Sequence, residues 1–92
     1  MATSPWNSRN AITGPEVKQA IELGKLTEIS FVESNEGWYV VVNLSWREED
    51  LYLATLQNKD KPKYFTDLHR LARSMKNNYP TVRHGKWYFM EP

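Results

Sequence analysis

His69 and His84 are the only histidines of the chain, and it has no cysteine. Proton transfer near neutral pH would therefore fall to one of these imidazoles. Asp67, His69 and Arg70 bring an acid, a base and a cation into one short stretch. On a helix, however, residues two apart do not face each other, so Asp67 and His69 make no dyad. Glu48, Glu49 and Asp50 are neighbours in sequence only and read as a solvated turn. No nucleophile elbow, zinc-protease pair, P-loop or dinucleotide fingerprint is present. Two histidines without a cysteine match no zinc spacing, and the acidic turn lacks the glycine and alternating ligands of a calcium loop. The residue types thus predict a non-enzymatic protein with no metal and no cofactor.

A second chemistry is open to the chain, contact with anions. Residues 1–56 carry Arg9, Lys18, Lys25 and Arg47 against eight carboxylates, a net charge of −4. Residues 57–92 carry Lys59, Lys61, Lys63, Arg70, Arg73, Lys76, Arg83 and Lys86 against Asp60, Asp67 and Glu91, a net charge of +5. Such a half attracts phosphate, and the rings of Trp87 and Tyr88 beside Arg83 and Lys86 could stack on unpaired bases. DNA is the expected partner if these cations meet on one surface. The competing expectation is that the two halves neutralise each other within one small domain.

The elements that must position these residues follow from hydrophobic period and turn chemistry. Thr13-Gly14-Pro15-Glu16 is a helix start with the residues of a capping box and proline in the first turn. Val17, Ala20 and Ile21 share a face, and Gly24 suits a left-handed helix end. Alternation at Ile29 and Phe31, the cluster Ser34-Asn35-Glu36-Gly37, and alternation from Trp38 to Trp46 predict a hairpin. Leu51 to Gln57 is a third strand. Pro62 ends a basic loop. Thr66 is the expected cap of a second helix over 67–78, with Leu68, Leu71, Ala72 and Met75 as its apolar stripe. Val82 to Met90 is a last strand or small hairpin. Residues 1–12 are expected to be a flexible tail and 13–92 a single domain.

The predicted fold is α+β, two-layer, with a three- to four-stranded antiparallel sheet and two helices in the order α-β-β-β-α-β. Its expected core is Val17, Ile21, Phe31, Trp38, Val40, Val42, Leu44, Leu53, Phe65, Leu68, Leu71, Ala72 and Met75. The second strand is apolar on both faces, so Tyr39, Val41 and Tyr52, with Trp6 of the tail, could instead serve protein association, including a homodimer. Length supports a single domain: 92 residues bury a modest core, enriched here by an aromatic fraction of 13%. No apolar run is long enough for a membrane span, and Met1 to Arg9 does not read as a signal peptide. The expected location is the cytoplasm.

Taken as a series, Val17-Lys18-Gln19-Ala20-Ile21-Glu22-Leu23-Gly24-Lys25-Leu26, Gly37-Trp38-Tyr39-Val40-Val41-Val42, Leu51-Tyr52-Leu53-Ala54-Thr55-Leu56 and Tyr64-Phe65-Thr66-Asp67-Leu68-His69-Arg70-Leu71-Ala72 resemble the small ParC-type partition-associated proteins of plasmids and other mobile elements. The resemblance covers about residues 15–90. It departs at 57–63, where lysines stand in place of an arginine-rich turn, and lysine acts on phosphate as a point charge, not a bidentate fork. What the resemblance implies is a non-enzymatic accessory protein of a mobile element, in the cytosol; the partners expected of the chain are DNA, a second copy of itself, or a plasmid-encoded protein.

Overall fold

The computed structural model describes residues 8–90. Among these the order is a 3-10 turn (Ser8–Asn10), β1 (Ala11–Thr13), α1 (Gly14–Glu22), β2 (Leu26–Ser34), β3 (Gly37–Leu44), β4 (Leu51–Ala54), α2 (Leu68–Asn78) and β5 (Lys86–Tyr88). The strands form one five-stranded sheet in the order β1-β4-β3-β2-β5. The α+β class therefore stands, but the sheet is mixed. β2–β3 and β3–β4 are antiparallel, whereas β1 pairs parallel with β4 and β5 pairs parallel with β2. Both parallel strands have three residues; β1 is too short to show a pattern, and the strand expected over 82–90 is confined to Lys86–Tyr88, its partner and direction not being legible in so short a stretch. Residues 8–12, read from sequence as tail, hold the 3-10 turn and most of β1. Trp6 lies outside the described residues.

α1 begins as its residues dictate. The Glu16 carboxylate accepts from the Thr13 backbone N–H and hydroxyl, both at 2.9 Å. It ends in a Schellman arrangement: Lys25 N–H donates to the Ala20 carbonyl, Gly24 N–H donates to that of Ile21, and Gly24 has φ +68°. α2 differs from expectation by one residue at its start. Asp67, not Thr66, is the cap, and its carboxylate accepts from the Arg70 N–H at 2.8 Å. The shift is physically small, because either side chain has an acceptor oxygen of the right reach.

One face of the sheet carries the core. Ile12, Ile29, Phe31, Trp38, Val40, Val42, Leu44, Leu51 and Leu53 meet Val17 and Ala20 of α1 and Leu71, Met75 and Tyr79 at α2. Ile21, Leu26, Leu68 and Val82 fill the margins. The opposite face is closed too at its centre: Ser30, Val41, Tyr52 and Ala54 are buried, and Tyr39 packs its ring against those of Tyr52 and Tyr64. Beyond Ala54 the chain leaves the sheet and comes back. Lys63 N–H donates to the Leu53 carbonyl, and Phe65 then exchanges two backbone hydrogen bonds with Trp38. This return requires Gly37, whose φ is +131° and where a Cβ would stand 2.6 Å from the Phe65 carbonyl oxygen.

Candidate nucleic-acid interface

The excursion between Ala54 and Lys63 presents the lysines. Its base is pinned by the Lys63–Leu53 bond and by Asn58 N–H donating to the Thr55 hydroxyl at 3.0 Å. Asp60 N–H donates to the Asn58 side chain at 2.9 Å, shaping the tip. Pro62 is buried, so the loop is anchored on its apolar member while Lys59, Lys61 and Lys63 stay exposed. Lys63 Nζ lies 5.2 Å from the centre of the Phe65 ring, a cation–π contact that leaves its charge intact.

α2 supplies the next cations because its apolar stripe turns inward and its polar face turns out. Arg70, Arg73 and Lys76 are exposed. Arg70 is partly engaged, with Nε 3.6 Å from the Asp67 carboxylate. An Arg73 terminal nitrogen lies 2.9 Å from His69 Nε2. Guanidinium can only donate, so Nε2 is the acceptor in this contact. Among the described residues, Lys59, Lys61, Lys63, Arg73, Lys76 and Arg83 form no ion pair with a carboxylate. Loop and helix adjoin: Leu56, Gln57 and Lys63 line one groove together with Ser74 and Asn78 of α2.

Lys86 stands apart. β5 is three positions from β4 in the sheet, about 14 Å at the usual strand spacing. Its ammonium is 2.7 Å from the Glu28 carboxylate across the β2–β5 pairing, which raises the lysine above its usual range, first by that hydrogen bond and then by the charge. The structure therefore divides the sequence-predicted cations. Lys59, Lys61 and Lys63 adjoin α2 with its Arg70, Arg73 and Lys76, whereas Arg83 and Lys86 belong to the region of the far edge.

The remaining candidates fall as follows. Asp67 caps α2 and His69 contacts Arg73, so that set is engaged in local structure. His84 lines a groove of about 510 Å³ between the end of α1, the start of β2 and residues 81–86. The described residues hold no cluster of three metal-ligating side chains. Val41 and Tyr52 are buried and Tyr39 is half-buried, so this side of the sheet offers no broad apolar surface. Exposed apolar side chains lie elsewhere, at Trp87, Tyr88, Phe89 and Met90 along β5 and its end, and singly at Leu23, Trp46 and Leu56. The run at 87–90 is visible in the sequence as aromatic. Its exposure is not, because alternation assigns such a run to a covered strand. No described helix is long and apolar enough to cross a membrane.

Comparison of the chain with protein-family models, with curated proteins and with solved structures gave no match.

Proposed function

We propose that this chain is a non-enzymatic accessory protein of a plasmid or other mobile element that contacts DNA, acting in the cytoplasm. The observation that supports DNA contact is the exposed set Lys59, Lys61, Lys63, Arg73 and Lys76 on adjoining loop and helix, none of them in an ion pair among the described residues. Such cations release counterions when they meet phosphates, and binding weakens steeply with salt. The mobile-element context rests on the ParC-type resemblance alone. Titration into labelled single- and double-stranded DNA at low and higher salt tests the reading. Lys59→Glu/Lys61→Glu/Arg73→Glu should weaken binding at least about tenfold and flatten its salt dependence, as loss of phosphate contacts requires. Equal binding by the variant and the wild type, or no binding by the wild type at low salt, sinks it.

A second reading, a homodimeric interaction module, is favoured by one observation. β5 is an edge strand, and Trp87, Tyr88, Phe89 and Met90, on it and just past its end, are partly exposed. Light scattering decides it: a dimer mass that returns to monomer in Trp87→Ser/Phe89→Ser supports this reading, and a monomer at all concentrations removes it.

A further inference from the structure

Where α1 starts and α2 ends, the two helices face each other across a cavity of about 510 Å³. Three features of its wall belong together. Gly14, the first residue of α1, leaves the wall open: a Cβ there would sit 3.2 Å from the Tyr79 hydroxyl oxygen. Lys18, one turn on, and Lys63, from the end of the lysine loop, both line the cavity, and no carboxylate does. Tyr79 itself is only 6% exposed, and its hydroxyl has no hydrogen-bond partner among the described residues.

A buried hydroxyl without a partner is unfavourable, and native structures usually satisfy such groups. Here the hydroxyl lines a space that can admit a ligand. The surroundings select its charge. The N-terminal end of a helix dipole and the nearby charges of Lys18 and Lys63, the latter's ammonium resting over the Phe65 ring, favour an anion. Glu16, in the same first turn, offsets part of the dipole, but its carboxylate does not line this cavity. Its carboxylate is held by Thr13, and it lines the separate groove near Leu23 and Trp46. Tyr79 would donate, and Ser74 and Asn78, whose side chains hydrogen-bond each other, also line the space. The cavity also exceeds one tetrahedral anion, with Leu53 and Leu56 lining the rest.

We infer that the cavity between Gly14, Lys18, Lys63 and Tyr79 is a binding site for a phosphoryl group, carried by inorganic phosphate or by a small phosphate ester. This site shares Lys63 and its groove with the DNA reading but is carried by Lys18 and Tyr79, which lie outside that surface.

The test is a backbone-amide NMR titration with sodium phosphate, and separately with a nucleoside monophosphate, at constant ionic strength. Saturable shifts are expected at Gly14, Lys18 and Lys63. Tyr79→Phe and Lys18→Gln should each weaken the apparent affinity by about tenfold, the scale of one lost charge-assisted hydrogen bond. Tyr79→Phe keeps the ring, and its melting curve checks the fold. Lys59→Glu/Lys61→Glu should leave phosphate affinity unchanged while affecting DNA, so the two proposals fail separately. Tighter binding of the nucleotide assigns the site to an ester, and equal binding assigns it to free phosphate. The inference is overturned by an absence of saturable shifts with both ligands in the tens of millimolar. It is equally overturned if both variants bind as the wild type does.

Discussion

β3 and β5 are built from similar residues and meet different fates. Trp38 on β3 is 7% exposed, and Trp87 on β5 is 43% exposed, although their rings pack edge to face with centroids 6.2 Å apart. β3 has a paired strand on either side and the helices over one face. β5 pairs only with β2, and Trp87 covers Phe31 on one side, at 4.4 Å between centroids, while its other side meets solvent. The difference teaches that aromatic content marks a strand but not its depth. Depth follows from how many neighbours the topology provides. It also separates stability, held in β3, from a surface at β5 that can be altered with less damage to the fold.

That separation can be broken by substitution. Trp38→Ala removes a ring that touches Trp87 and Phe89 and fills the core, so a loss of about 3–5 kcal/mol is expected in urea unfolding. Gly37→Ala, at the first residue of β3, places a Cβ against the Phe65 carbonyl at a positive φ, and about 1–3 kcal/mol should be lost. A smaller loss than for Trp38 is expected of Trp87→Ala, about 1–2 kcal/mol, because roughly half of its apolar surface is already in water. If Trp87→Ala costs as much as Trp38→Ala, β5 is part of the core and the contrast fails.

The smallest effect should come from Lys86→Met, since exposed ion pairs contribute little and are screened by salt. Its value is in the pH dependence. The folded lysine sits above its usual range, so its contribution is complete below about pH 10 and is lost as pH rises through the folded value. Amide exchange at Tyr88 should therefore quicken in strongly alkaline solution in the wild type more than in Lys86→Met. Exchange at Val40 should respond equally in both.

Much of the helical layer was legible in the chain. Thr13, Pro15, Glu16 and Gly24 mark α1 at both ends, because capping depends on neighbours within one turn. The stripe Leu68, Leu71 and Met75 marks α2 for the same reason, a short period repeated over consecutive residues. The hairpin around Asn35 and Glu36 was legible from alternation and turn residues. β1 was not, nor were the partner and direction of β5. A three-residue strand in parallel pairing is stabilised by partners distant in sequence, Tyr52–Ala54 for β1 and Ser30–Val32 for β5. Of the candidate interface, the chain named every cation. It could not show that Lys86 is matched to Glu28 or that Lys63 lies beside Ser74 and Asn78.

By itself, then, the sequence determined what local rules control: residue chemistry, helix ends, the hairpin, and the uneven charge of its two halves. The tertiary structure alone decided which edge stayed open, which cations kept their charge uncompensated, and that Tyr79 is buried facing Gly14 and Lys18. The physical reason is range. Capping and periodicity act over a few residues, whereas burial, ion pairing and cavities depend on which distant segments the sheet order sets side by side.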